Sequence, residues 1–185
     1  KDLLNEYIKQ REDWRPFAPM VLEEDAGKFF LDPRPSPFMM FVTPALPTAG
    51  IPAALHVDGT ARVQTINADF DARLYQLLCK FKELTGIGVL VNTSFNVKGE
   101  PIVRTVEDAY RDFIGSGMHA LVLNDYILEK PSSFVWSGSP SSAPPPRIRV
   151  ADQLPRLISS ATSVAVVSLG TPHLLKAVRN NLTIA

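Results

Sequence analysis

Residues 71–91 read DARLYQLLCKFKELTGIGVLV, and this stretch decides the fold class. Leu74, Leu77, Leu78, Phe81 and Leu84 recur at i, i+3, i+4, i+7 and i+10, which puts one apolar stripe along a helix from Asp71 to Thr85. Gly86 stands where a helix ends in a left-handed residue. Val89-Leu90-Val91 follows at once, an apolar β-branched run suited to a short buried strand. Working outward, Pro37 to Val42 reads as a strand after a Pro-rich turn. Ala53 to Val57 and Arg62 to Ile66 flank Asp58-Gly59, a dipeptide that favours a tight reversal. Glu23-Glu24-Asp25 suits the first turn of a helix, where the macrodipole favours acids. Thr105-Val106-Glu107-Asp108 has capping-box spacing and opens a helix through Phe113 that ends at Gly115 and Gly117. Ala120 to Leu123 and Tyr126 to Leu128 complete the sheet. The expected class is α+β, a mostly antiparallel or mixed sheet with helices against it.

The 185 residues are 45% hydrophobic, enough for a packed core. Lys and Arg number 19 and Asp and Glu number 19. That balance argues against a bulk polyanion binder and leaves room for a small cationic pocket. Cys79 is the only cysteine, so an internal disulfide and a cysteine-cluster zinc site are both excluded. No apolar run approaches the roughly 20 residues that span a bilayer. With no secretory signal, a reducing cytoplasm is the expected setting. The chain starts at Lys1, and Asp2 to Ile8 reads like the middle of a helix. A piece of something longer is therefore expected.

Three stretches are expected along the chain: a globular body over 1–130, a linker over 131–146 and an appendage over 147–185. The linker holds five Pro, six Ser and one Gly in sixteen positions. In the appendage, Val164 to Leu169 suits a buried strand, Gly170-Thr171-Pro172 a turn, and Leu174 to Val178 a helix. That order is how a Rossmann-like unit starts, although only one glycine of the dinucleotide fingerprint is present. Such a βα piece exposes apolar surface and is expected to pack on the body or on a second copy in a homodimer.

Polar constellations interrupt the apolar segments. Lys9, Arg11 and Arg15 lie within seven residues, and Pro16 and Pro19 stiffen the chain beside Arg15. Planar guanidinium forks suit phosphate and carboxylate oxygens, while the ordinary alternative is a solvated cluster paired with Glu12 and Asp13. The second constellation is His56-Val57-Asp58-Gly59-Thr60-Ala61-Arg62, in which alternation puts His56 and Asp58 on one side if the strand continues that far. A plain hairpin with a satisfied histidine is the alternative, and two ligands make a poor metal site. In the third, Asn92-Thr93-Ser94-Phe95-Asn96-Val97-Lys98-Gly99-Glu100, amide and hydroxyl side chains directly follow a buried strand. Strand C-termini are where open sheets place ligands, and a polar turn is the alternative. No Ser-His-Asp or P-loop pattern is legible.

Arg11-x-x-Trp14-Arg15-Pro16-Phe17-Ala18-Pro19, then His56 to Arg62, then Asn92-Thr93-Ser94-Phe95-Asn96-x-x-Gly99-Glu100-Pro101-Ile102-Val103 closely resemble, in order, the C-terminal domain of the O-carbamoyltransferases. The likeness covers about residues 5–130. It implies a YrdC-like fold, a twisted mixed β-sheet with flanking helices and a cationic cavity. There, carbamoyl phosphate and ATP give carbamoyl adenylate and pyrophosphate, Mg²⁺ arriving with the ATP. It further implies a larger N-terminal partner domain, outside this chain, that carries iron and moves the carbamoyl group to an acceptor hydroxyl. The fragment alone is then not expected to be fully active. The related fold uses a Lys/Arg pair with a Ser-x-Asn motif, matched here by Lys9 with Arg15 or Arg11 and by Ser94-x-Asn96. By that resemblance Lys9, Arg15, Arg62 and Ser94 are the catalytic candidates. Arg11, His56, Asn92 and Asn96 are the binding candidates, with no protein-held metal in this chain. The segment from Pro44 to Gly50 is short beside the loop expected there.

Acyl adenylate formation needs no protein nucleophile. It needs two anions held in line and the α-phosphate charge spread over nearby cations. Two competing readings are a non-catalytic nucleotide or phosphate-binding module and a nucleic-acid binder, the latter disfavoured by the balanced charge.

Overall fold

A computed structural model of the chain describes residues 1–123, 126–130 and the strand 164–167. It is a mixed α+β protein with small sheets, and it divides into two compact units. Residues 14–93 lie in one; residues 2–13 and 94–130, with the strand 164–167, lie in the other.

In the first unit the apolar run β1 (Ala18–Leu22) is buried along its whole length and forms the centre of a three-stranded sheet. It pairs parallel with β4 (Gln64–Ile66) and antiparallel with β5 (Val89–Asn92). Pro19 is tolerated in this central strand because β4 pairs only from Met20 onward, so one flank has no ladder there for a missing N–H to interrupt. Alternation along β1 then supplies two cores. Met20 and Leu22 pack with Ile66 and Leu78, while Val21 packs with Phe30, Ile51, Ala61 and Val63. Helix α1 (Ala72–Thr85) follows the reading of residues 71–86 closely. The Asp71 side chain accepts from the Leu74 N–H at 2.9 Å, and Gly86 adopts φ 81° while its N–H bonds the Lys82 carbonyl. Of the apolar stripe, Leu78 is fully buried and Leu74 packs at the edge of the same core.

Two strand expectations require correction. Residues 37–41 turn instead of extending, because the Ser36 hydroxyl accepts the Met40 N–H and its carbonyl accepts the Met39 N–H. β2 starts later (Val42–Pro44) and pairs with β3 (Thr60–Arg62). Residues 53–57 are not the partner of the strand that follows the Asp58-Gly59 turn. Pro52 opens a 3₁₀ turn (Pro52–Ala54), since it lacks a ladder donor and its fixed φ suits a helical start. The acidic run Glu23 to Asp25 does open a turn of helix, 3₁₀ in type (Glu23–Lys28).

In the second unit a π-helical turn (Leu4–Lys9) packs with α2 (Val106–Ile114) and an antiparallel sheet. Thr105 and Asp108 form the expected capping box on α2. β6 (Ala120–Leu123) is the middle strand, with β7 (Tyr126–Glu129) and β8 (Val164–Val167) antiparallel on its two sides. Ile8, Val106, Phe113, Met118, Leu121 and Leu128 share one core. The Gly117 N–H bonds the Tyr7 carbonyl at 2.7 Å, and a Cβ on Gly117 would lie 2.9 Å from that same oxygen, so only glycine fits. The linker 131–146 and the turn and helix expected after β8 lie outside the described residues. No helix among the described residues is long and apolar enough to cross a membrane.

Candidate functional site

The second unit gathers Lys9, Arg11, Ser94 and Asn96. The π-helical turn carries Lys9 inward until the residue is only 4% exposed. Its ammonium donates to the Ser94 carbonyl at 2.7 Å, the Asn96 carbonyl at 2.7 Å, the Asn96 Oδ1 at 2.7 Å and the Ser94 hydroxyl at 3.3 Å. Three hydrogens thus serve four oxygens 85 or more residues away in sequence. The Ser94 hydroxyl donates in turn to Asn96 Oδ1 at 2.7 Å, and Asn96 Nδ2 donates to the Glu100 carbonyl at 2.8 Å. The Lys98 N–H closes the loop onto the Lys9 carbonyl at 3.1 Å, and Lys98 pairs with Glu12 at 3.0 Å.

This wiring gives the loop a polarity. The carbonyls of Ser94 and Asn96 are turned onto Lys9, that of Phe95 accepts from Val103, and that of Val97 accepts from Glu100. All four acceptors are engaged. Among the described residues no backbone carbonyl accepts from the N–H of Ser94, Phe95, Asn96 or Val97. Four successive N–H groups without a main-chain acceptor among the described residues, and a buried positive charge bonded to the same loop, are the ingredients of an anion site. Burial, and then the neighbouring Arg11 charge, bring the Lys9 ammonium down to about 8, with Asp112 pulling the other way. At neutral pH the cation is therefore mostly intact.

The first unit holds His56, Arg62, Asn92 and Arg15. His56 does not extend into a strand with Asp58; it sits on the turn. The Thr60 hydroxyl donates to Asp58 Oδ1 at 2.7 Å and the Thr60 N–H donates to the same oxygen at 3.0 Å. Those two bonds hold the exposed Asp58 carboxyl below its ordinary range. Since the Thr60 hydrogen is committed to Asp58, His56 Nδ1 at 3.0 Å must be the donor to Thr60. Thr60 and Arg62 share one face of β3 while Ala61 between them is buried, so the exposed Arg62 lies on the face that carries the histidine contact. Asn92, at the end of β5, donates to Gln64 Oε1 at 2.6 Å. Arg15 is exposed and stacks over the Trp14 ring, 5.8 Å from its centre.

Two polar residues that sequence reasoning passed over belong beside Lys9 or Arg11. Asn5 is fully buried and accepts from Arg11 Nε at 2.7 Å. Asp112 is 3% exposed on α2, and its Oδ2 has no hydrogen-bond partner among the described residues. Burial, and then the adjoining Glu100 carboxyl, raise Asp112 to about 6. The available signal was a polar residue on the buried side of each helical turn, Asn5 beside Leu4 and Ile8 and Asp112 beside Phe113.

The family of the carbamoyltransferase C-terminus matches residues 1–130. The nodulation protein NolNO of Sinorhizobium fredii is 41% identical over 152 residues, covering 78% of this chain and 22% of that protein. A 3'-hydroxymethylcephem-O-carbamoyltransferase of Amycolatopsis lactamdurans is 39% identical over 125 residues, 68% of this chain and 24% of that one. An uncharacterized Synechocystis protein is 45% identical over 70% of this chain and 25% of its own length. The chain spans about a quarter of the length of these relatives.

Proposed function

The chain belongs to the carbamoyltransferase C-terminus family, and on that premise we propose that it is the adenylate-forming part of an ATP-dependent O-carbamoyltransferase. The proposal includes a YrdC-like twisted sheet for the body 1–130, followed by the linker 131–146 and the extension 147–185. In the reaction, water frees carbamate from carbamoyl phosphate with loss of phosphate. A carbamate oxygen then displaces pyrophosphate from the α-phosphorus of ATP, giving carbamoyl adenylate. Transfer to an acceptor hydroxyl, and any iron, belong in this proposal to the further length that the relatives possess.

The observation that carries the reading is the 94–97 loop, whose carbonyls are spent and whose four N–H groups have no main-chain acceptor among the described residues. Both reactants are polyanions, and displacement at the α-phosphorus gathers charge on its oxygens, which fixed donors and cations stabilise. Ser94 and Asn96, with the amides beside them, hold phosphate or carbamoyl oxygens. Lys9 acts by charge and by locking the loop, and Arg11 adds a guanidinium beside it. Taken by themselves, residues 14–93 offer Arg62 and Arg15 as phosphate-binding cations and His56 and Asn92 as polar contacts. Mg²⁺ enters with the ATP and neutralises its phosphates. Isothermal titration with a non-hydrolysable ATP analogue tests the reading. Ser94→Ala and Arg62→Ala are each expected to weaken binding about tenfold without unfolding the protein. Unaltered affinity in both variants overturns it. Binding of ATP with no carbamoyl phosphate-dependent pyrophosphate release would instead leave a non-catalytic nucleotide-binding module.

A further inference from the structure

The Lys9 ammonium is held by four oxygens, and the Arg11 Nε–H is taken by the side chain of the buried Asn5. Asn5 is fully buried between residues that belong to an apolar core, Leu4 and Ile8. Such a position ordinarily takes another apolar residue, and an amide there needs partners for its oxygen and its nitrogen. Asn5 has both. Its Oδ1 accepts from Arg11 Nε at 2.7 Å and its Nδ2 donates to the Asp13 carbonyl at 3.0 Å. Its own carbonyl takes the Arg11 N–H at 3.0 Å and also the Gln10 N–H that caps the turn. Gln10 itself stands at φ 50°, a left-handed backbone that a non-glycine residue adopts only under constraint. The segment 5–13 is therefore folded around Asn5.

A guanidinium with its Nε–H pinned keeps the outer edge of its fork in a fixed plane. We infer that Asn5 is the positioning residue that aims the Arg11 guanidinium at the bound anion, an inference that rests on the anion-binding reading above. Asn5 touches no ligand in this arrangement; it acts through Arg11. The entropy of holding a long, flexible arginine is met in the folded protein before the anion arrives.

Titration of the chain with inorganic pyrophosphate tests this, using Asn5→Ala, Asn5→Asp, Arg11→Ala and the double variant Asn5→Ala with Arg11→Ala. Asn5→Ala and Arg11→Ala are each expected to weaken binding about tenfold, and the double variant no further, because the two residues act as one unit. Asn5→Asp keeps an oxygen for Nε and is expected to stay within about twofold of the unsubstituted protein. Unchanged affinity in Asn5→Ala, or losses that add in the double variant, overturn the positioning role while leaving the anion site standing. Failure of the unsubstituted protein to bind pyrophosphate overturns the anion reading and this inference with it. Should Asn5→Ala not fold, nitrogen-15 NMR of the unsubstituted chain decides. The Arg11 Nε–H is expected to exchange with water at least about tenfold more slowly than that of the exposed Arg104, and equal exchange overturns the inference.

Discussion

Two loops of this molecule carry a cation each, and they use it in opposite ways. In the 94–97 loop the cation is behind the chain: Lys9 is 4% exposed and its hydrogens go to carbonyl and side-chain oxygens of the loop. In the 56–62 turn the cation is in front: Arg62 is exposed, while the turn is closed without it by Asp58, Thr60 and Gly59. The first loop owes its shape to a charge and its reactivity to amides. The second owes its shape to local hydrogen bonds and its reactivity to the charge. A buried cation can organise main-chain dipoles over a distance of 85 residues because an unmet charge in the interior is costly, whereas an exposed one is screened by water and shapes little.

The largest expected break in that comparison is Lys9→Met. It leaves the Ser94 and Asn96 oxygens without their donor, and the expected loss of stability is about 3 kcal/mol or more. Arg62→Met should stay within about 0.5 kcal/mol. Chemical denaturation of both variants checks the pair, and equal losses would erase the contrast. The affinity losses of Ser94→Ala and Arg62→Ala come next: the first removes a hydroxyl bonded to Lys9 and Asn96, the second an exposed guanidinium.

A pH series sharpens the comparison further. The Lys9 ammonium is lowered to about 8 by burial and by Arg11. Between about pH 8 and its ordinary 10.5, the unfolded chain holds a proton that the folded chain has released. Stability from this group therefore rises with pH across that window. Lys130, lowered to about 8 by burial, acts in the same direction. Anion affinity should move the other way and fall as pH passes 8, because the charge behind the amides is lost. Titrations at pH 7 and 9 beside unfolding curves at the same values read both; affinity that is flat from 7 to 9 counts against the Lys9 role.

The smallest expected effect is at Asp112. Raised to about 6 by burial and by Glu100, it keeps a proton in the folded state that the unfolded chain releases near 4. Its contribution to stability is present below that unfolded value and is lost as pH climbs to about 6. Asp112→Asn should flatten this part of the stability profile and make the protein modestly more stable at pH 7, as read by thermal unfolding at pH 4, 5, 6 and 7. A variant that keeps the slope shows that another group titrates there.

Legibility followed the range of the interactions. Helix α1 was readable because its cap at Asp71, its stripe and its stop at Gly86 lie within sixteen consecutive residues. The capping box at Thr105 and the β6–β7 pair were readable for the same reason. The partner of β3 was misread, because the residues nearest in sequence across the turn, 53–57, form no strand and the observed partner Val42–Pro44 lies beyond two prolines. Among the site candidates, the strings around Lys9 and Ser94 were visible as polar interruptions, but nothing local showed that one was folded around the other. Asn5 and Asp112 were passed over, because a single polar residue in a helical turn is far more often at the surface than inside, and apolar neighbours such as Leu4, Ile8 and Phe113 are a weak signal against that.

The amino-acid order by itself determined the short elements, their caps and the turn chemistry at Asp58-Gly59, since each is settled by dihedral preference and bonds a few residues long. Only the tertiary structure decided that Lys9 is an internal brace and Arg62 an external hand. Burial, which converts a lysine from a solvated charge into the organiser of four carbonyl and side-chain contacts, is created by chain segments that meet from far apart.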